Sequence, residues 1–254
     1  MEAVRKPLQG VKNILRFNWH YYAVALVFVF VASIFYDNAD QRLQPAVLIV
    51  IILISLSVII SLAVSVYVYD FSDLYKLTWL HKDLFENGKR WANINAGFDE
   101  TSMLLKNKFP ACDLVVLDFY DARKHTELSI KRARKVYPPY PGTVIINTDL
   151  LPFKNNSIDN VFLILAAHEI RNEPERIIFF KEISRVLSDD GKIIVTEHVR
   201  DIVNFLAYNI GFFHFHSRKT WIHTFAESGL TIFQEIKITP FITTFILTKN
   251  GTSS

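Results

Sequence analysis

Polar residues gather at the ends of three apolar runs in the C-terminal half of the chain. Thr148-Asp149 follows Val144–Asn147, His168-Glu169 follows Asn160–Ala167, and Glu197-His198 follows Lys192–Thr196. A histidine titrates near neutrality, so His168 can take a proton from a phenolic, enolic or amine group, with Glu169 or Arg171 orienting it. His198 beside Glu197 offers the same chemistry. The alternative for His168 is a ring hydrogen-bonded to backbone. His214 and His216 add two imidazoles from a third loop. Such scattered spacing is a weak metal signature, and no metal is expected. Direct contact of one or two of these rings with a substrate is the preferred reading. A further acid, Asp118, stands 21 residues beyond Gly97. In dinucleotide-binding units an acid about 20 residues past the glycines holds ribose hydroxyls.

These residues need elements to hold them. Asn160–Ala167 is nearly all apolar, as a strand covered on both faces would be. Pro174 suits the first turn of a helix, and Ile177, Ile178, Ile183, Val186 and Leu187 give that helix an apolar stripe. Gly191 is placed to stop it, and Lys192–Thr196 then forms the next buried strand. Strand, helix, strand in this order implies a parallel sheet with a right-handed crossover. Upstream, Trp91–Ile94 reads as a strand, Glu100–Lys108 as a helix and Asp113–Leu117 as a strand ending at Asp118. Residues 121–137 read as a basic helix whose Lys131, Arg132, Arg134 and Lys135 form a solvated face or meet an anionic head group. Downstream, Ser217 caps a helix over Arg218–Glu227 with Gly229 as its stop, and two β-rich runs, Leu230–Thr239 and Phe241–Lys249, flank Pro240.

The pattern D-x-LPF from Asp149, S-x-D-x-V from Ser157, A-A-H-E from Ala166 and E-I-x-R-V-L-x-x-D-G-K-I-I-V from Glu182 resembles class I S-adenosylmethionine-dependent methyltransferases, closest to the ubiquinone/menaquinone-type branch. The resemblance spans roughly Asn93 to Lys249. It implies an α/β, Rossmann-like seven-stranded sheet, mostly parallel with an antiparallel last hairpin. It also implies S-adenosyl-L-methionine as cofactor, Asp118 on the ribose, Asp149 with Leu150 at the adenine, and Asn93, Asn95, Gly97 and Ala166 around the rest of the cofactor. The family's loop has three glycines. Here only the central one, Gly97, remains, with Asn95 and Asp99 outside it. Asn and Asp tolerate left-handed backbone better than other non-glycine residues, so the turn remains feasible.

The N-terminal part carries no such resemblance. Trp19–Tyr36 and Ala46–Tyr69 are apolar runs separated by a polar break, Asp37–Pro45. A spanning helix needs about 20 apolar residues, and Trp19, Tyr21, Tyr22, Tyr36, Tyr67 and Tyr69 flank the runs as interfacial aromatics do. The expectation is a transmembrane hairpin over about 19–36 and 46–69 within an anchor of residues 1–69. No small-residue cleavage site follows the first run, which argues against a signal peptide. Arg5, Lys6, Lys12 and Arg16 precede the first helix, and Lys76, Lys82, Lys89 and Arg90 follow the second. This places both termini and the domain in the cytoplasm. Residues 70–90 read as an amphipathic linker, either a helix on the membrane surface or one packed on the domain, ended around Gly88. The domain proper then occupies 91–250.

Half of the chain's 254 residues are hydrophobic and the net charge is +3, which gives no reason to expect a nucleic-acid partner. The single cysteine, Cys112, reads as a small core residue. The aromatic stretch Asn204–Ser217 reads as a substrate wall, with Arg200, Phe212, His214 and His216 as contacts. The expected protein is a membrane-anchored methyltransferase whose partners are the bilayer and a lipophilic acceptor: a quinone or isoprenoid, an aromatic lipid or a phospholipid. The alternative is an inactive membrane interaction module on the same fold.

Overall fold

The computed structural model describes residues 5–81, 89–124 and 127–251. Helices α1 (Gln9–Asn38) and α2 (Gln44–Val66) lead the chain and pack side by side. Both are long and apolar enough to cross a membrane. Helix α1 breaks at Asn18, where φ is −114° and ψ is 16°. Before the break, Val11, Asn13 and Phe17 are buried, whereas beyond it Val24, Leu26, Val27, Phe28 and Phe30 are exposed. The first two turns thus belong to the protein interior and the remainder does not.

The start of α1 is held by the end of α2. Leu8, its N-cap, is left-handed and makes no side-chain cap. Asp70 supplies the cap from outside: its Oδ1 accepts from the Gly10 amide at 2.7 Å and its Oδ2 from the Val11 amide at 2.9 Å. A carboxylate there also suits the positive end of the helix dipole. Gly10 permits the approach, since a Cβ on it would stand 2.4 Å from Tyr69 Cβ.

The linker departs from the expected helix. Tyr67–Phe71 is a π-turn, and Ser72–Leu80 forms successive turns in which Leu77 is left-handed (φ 56°). Leu74, Leu77, Trp79 and Leu80 are buried, packed with Trp91, Leu105, Phe109, Phe162 and Ile194. Tertiary burial overrides the local helical pattern: these four side chains turn to the domain instead of sharing one helix stripe, while Phe71 stays exposed. Gly88, the expected end, lies outside the described residues.

Seven strands form one sheet in the order β3-β2-β1-β4-β5-β7-β6. They are β1 (Arg90–Asn95), β2 (Asp113–Asp118), β3 (Val144–Ile145), β4 (Ile158–Ile164), β5 (Leu187–His198), β6 (Leu230–Thr239) and β7 (Ile242–Lys249). The first five run parallel, while β7 is antiparallel to β5 and to β6. The expected Rossmann-like sheet with an antiparallel last hairpin is therefore present. Helices α3 (Ser102–Lys108), α4 (Leu128–Val136), α5 (Glu173–Val186), α6 (Ile202–Tyr208) and α7 (Arg218–Glu227) complete the fold. One face of the sheet is covered by α5 and α7 through Phe179, Phe180, Ile183, Trp221 and Phe225. The other is covered by α3 and the 68–80 segment.

Gly191 does not stop α5. The helix ends at Val186, and β5 begins at once with Leu187 paired to Ile158. Pairing resumes at Lys192 with Asn160, so Ser188–Gly191 bulges between. Gly191 sits where a Cβ would stand 2.9 Å from the Asp159 carbonyl oxygen, which is the close backbone approach that glycine allows in a strand. The basic helix is shorter than expected, Leu128–Val136, and its Arg132 turns toward α1. Arg132 Nη1 donates to the Phe17 carbonyl and bonds His20 Nδ1 at 2.8 Å. Cys112 is buried, as a small core residue should be.

Candidate active site

The loop after β1 keeps its shape through side chains where glycines are missing. Asn95 Oδ1 accepts from the Gly97 amide at 2.9 Å, and its Nδ2 donates to the Leu117 carbonyl at 3.2 Å. Asp99 Oδ1 accepts from the amides of Thr101 and Ser102 and so starts α3. Gly97 alone is left-handed, with φ at 91°. The one glycine retained is therefore the one whose backbone requires it. Asn93, one strand position before the loop, donates from Nδ2 to Thr101 Oγ1 and Ser102 Oγ. Its Oδ1 and Asp99 Oδ2 are buried with no hydrogen-bond partner. Two orphan acceptors, one on β1 and one in the loop after it, suit a cationic group such as an amino acid's ammonium.

Asp118 ends β2 and is paired in register with Asn95. Its Oδ1 accepts from the Tyr120 amide at 2.9 Å and its Oδ2 from Arg134 Nη1 at 2.6 Å. The guanidinium lies over the Tyr120 ring and directly against Gly97, where a Cβ would meet Nη1 at 2.5 Å. The space that glycine leaves is thus filled by Arg134. Asp149 lies exposed in the turn closed by the Asn147–Leu150 bridge, and Leu150 beside it is also exposed. Ala166 is buried at the end of β4.

A second group forms where β4 and β5 end. Leu165 is left-handed (φ 53°), an uncommon state for leucine. It turns the chain into the short 3-10 segment Ala167–Glu169 and sets His168 over the end of β5. Glu197, fully buried, accepts from the His168 amide at 3.2 Å and bonds His168 Nδ1 at 2.6 Å. His168 Nε2 and His214 Nε2 each stand 3.3 Å from Glu169 Oε1, and His214 Nδ1 stands 3.2 Å from Glu127 Oε1. Burial opposes charge on His168, but Glu197 and Glu169 outweigh it and push its pKa up to about 10. Burial raises the Glu169 pKa, yet His168 and His214 hold it well below the usual carboxylate range. Both ring nitrogens of His168 thus face carboxylates, Nδ1 toward Glu197 and Nε2 toward Glu169.

His198 is not part of this group. It is buried; its Nε2 meets the Tyr69 hydroxyl at 2.8 Å, and its Nδ1 meets the Phe241 carbonyl at 3.0 Å and Asn204 Oδ1 at 3.2 Å. Burial above all pushes its pKa down to about 3. With both ring nitrogens committed it pins the π-turn after α2 to the sheet. His216 faces inward too, with Nε2 3.2 Å from Arg176 Nη1 and its ring against Trp221; burial and then Arg176 push its pKa down to about 3. Arg200 donates to the Phe213 carbonyl at 2.7 Å and lies over Phe212.

The aromatic stretch forms α6 and a 3-10 segment, Asn209–His214. Tyr208 and Phe215 pack on His198, whereas Ile202, Phe205, Leu206, Ile210 and Phe213 are exposed. Helix α6 packs beside α2. Sequence alone missed Glu127 and Glu197 as histidine partners and Arg134 as the partner of Asp118. Glu127 carries no motif signal, and Arg134 looked like its basic neighbours.

Residues 96–195 match the family model described as a methyltransferase domain. No curated protein matches the chain. Among solved structures, the PH0226 protein from Pyrococcus horikoshii is similar at 17% identity, over 68% of this chain and 88% of that one, with a TM-score of 0.51. A SAM-dependent methyltransferase from Aquifex aeolicus gives 11% identity over 69% and 90%, with a TM-score of 0.49. The [4+2]-cyclase SpnF gives 13% over 69% and 80%, also at 0.49. The family match runs from the loop after β1 through most of β5.

Proposed function

We propose that the chain is a membrane-anchored methyltransferase that uses S-adenosyl-L-methionine on a lipophilic small molecule, of the quinone or isoprenoid, aromatic lipid or phospholipid type. The observation that carries the cofactor reading is the loop after β1. Gly97 makes a close approach that a Cβ would block and that Arg134 now occupies, Asp118 presents a carboxylate beside it, and orphan acceptors of Asn93 at the end of β1 and Asp99 in the loop lie nearby. When bound, the cofactor supplies an electrophilic methyl group on a sulfonium. Asp118 would hold its ribose, Asn93 and Asp99 its ammonium, and Asp149 with Leu150 its adenine. Asn95 fixes the turn, and Ala166 leaves room at the end of β4. The chain's share of the chemistry is alignment, which by itself lowers a bimolecular barrier substantially.

The lipophilic reading rests on α6. Its exposed apolar residues, with Ile210 and Phe213 beyond it, lie next to α2 and beside the loop that carries His214. A bilayer around α1 and α2 would meet this surface, and an apolar acceptor could enter along Phe212 and Phe213 without crossing water. His168 and Glu169 then face the acceptor, and Arg200 steadies the wall.

The Arg134–Asp118 ion pair supports a second reading, an inactive domain whose cofactor cradle is filled by its own arginine. One measurement decides between the two. Calorimetry on the detergent-solubilised chain should give heat with S-adenosylmethionine or its demethylated product, and Asp118→Ala should weaken binding. No heat with either ligand at high concentration leaves the inactive module.

A further inference from the structure

We infer that His168, Glu169 and His214 form a binding site for one divalent transition-metal ion, of which Zn²⁺ is the first to test. The three side chains offer two imidazole nitrogens and one carboxylate oxygen, all within 4.8 Å of one another. That donor set suits zinc with an open fourth position.

The distances are those of long hydrogen bonds and equally of two ligands on one ion. Charge-assisted hydrogen bonds between nitrogen and carboxylate run about 2.7–2.9 Å. His168 Nε2 and His214 Nε2 are both longer than that, 3.3 Å from the same oxygen, Glu169 Oε1. Ligand atoms about 2.0–2.1 Å from a shared tetrahedral ion stand about 3.3 Å apart. The two His–Glu edges already have the spacing of a coordination polyhedron.

The outer partners point the same way. A metal-binding histidine almost always donates its other ring N–H to a carboxylate or carbonyl, which fixes the tautomer and turns the free nitrogen to the ion. Both rings have such a carboxylate. His168 Nδ1 meets Glu197 at 2.6 Å, and His214 Nδ1 lies 3.2 Å from Glu127. The rings approach edge to face, with centroids 4.9 Å apart, and both Nε2 atoms reach the same Glu169 oxygen. Arg171 reaches the His214 carbonyl and Nδ1 from the outside. It must release Nδ1 for that nitrogen to donate to Glu127 and leave Nε2 for the ion. Three carboxylates around the two rings leave the cluster acidic enough to hold a cation beside this one arginine.

Methyltransferase function is not needed for the ion to bind. Its role rests on the proposed function: at the carboxyl edge of β4 and β5 the open position would take an oxygen of the acceptor and hold it for methylation.

The test uses the full chain in detergent, without a polyhistidine tag, stripped with EDTA. Titration with Zn²⁺ should show one ion per chain, and Co²⁺ should give the visible bands of tetrahedral coordination. His168→Ala, His214→Ala and Glu169→Gln should abolish the stoichiometric site. Glu197→Gln should weaken it by about 10–100-fold, the usual effect of losing an outer partner. His223→Ala, an exposed histidine near Glu173, should bind as wild type. His214 is the least buried of the three, so its variant keeps the test valid even where the others fail to fold. Absence of a one-to-one site, or wild-type affinity in His214→Ala, overturns the proposal. Calorimetry with S-adenosylmethionine on metal-free protein reports separately on the cofactor reading.

Discussion

Replacing Arg134 with alanine should tighten S-adenosylmethionine binding about fivefold. The guanidinium holds Asp118 Oδ2 at 2.6 Å and fills the cradle at Gly97, so the proposed cofactor must displace it. A hydrogen bond to a charged group contributes about 1.5–3 kcal/mol when buried. The Asp118 side chain is 6% exposed but that of Arg134 is 35% exposed, and solvent discounts the pair toward the surface value of about 0–1 kcal/mol. A middle figure of about 1 kcal/mol corresponds to about a fivefold change in affinity. Calorimetry on wild type and variant at matched salt reads it directly, with melting temperatures as the check on folding. Arg132→Ala is the control, since that arginine holds Phe17 and His20 and not Asp118. Unchanged or weaker binding in Arg134→Ala, with the fold intact, refutes the idea that the arginine competes for the site and makes it part of the cofactor pocket.

Acid should destabilise the protein through His198. Its folded pKa lies near 3, against about 6.5 for a free histidine, so the unfolded chain takes up the proton first. The stability it confers is complete above about pH 6.5 and is lost as pH falls toward 3, by about 1.4 kcal/mol per unit. His198→Gln should flatten the fall of the melting temperature between pH 6.5 and 5; His216 titrates in both proteins and cancels. Parallel curves sink the argument. For the membrane reading, a reporter fused at the C-terminus should behave as cytoplasmic and one inserted between Asp37 and Pro45 as external, and a secreted C-terminal reporter overturns the orientation.

The parallel strands were legible because burial on both faces leaves a direct mark on composition. The runs Asn160–Ala167 and Lys192–Thr196 fall on β4 (Ile158–Ile164) and β5, the first overshooting the strand's end by three residues, and β6 has the expected bounds. Ser217 caps α7 by accepting from the Thr220 amide, as its position implied. What the sequence hides is direction. His168 and His198 follow neighbouring strands with the same carboxylate company, yet one faces the strand-end cluster and the other is sealed under Tyr69 and Phe215. Arg134 is one of several cations on its helix, and only the helix's phase against β2 brings it to Asp118. The 72–80 segment has an amphipathic pattern, but the sheet beneath it decides its conformation. Asp70 gives no local sign that it caps a helix 60 residues earlier.

That 72–80 segment also decides where the protein can be cut. Its Leu74, Leu77, Trp79 and Leu80, with Val68, roof the sheet face formed by Trp91, Phe162, Ile164 and Ile194. A fragment beginning near Gly88 would lose this roof and bare four large apolar side chains of the central strands to water. Its failure to work would say nothing about delivery of substrate, because it would first aggregate. The smallest separable unit has to begin near Val68 and keep the seam where Tyr69 meets His198. Sequence likeness starts at the loop after β1, but the mechanical part starts 28 residues earlier, at Val68 in the π-turn after α2. The helices are thus stitched to the domain at their ends, α1 through Asp70 and the turn after α2 through Tyr69 and His198.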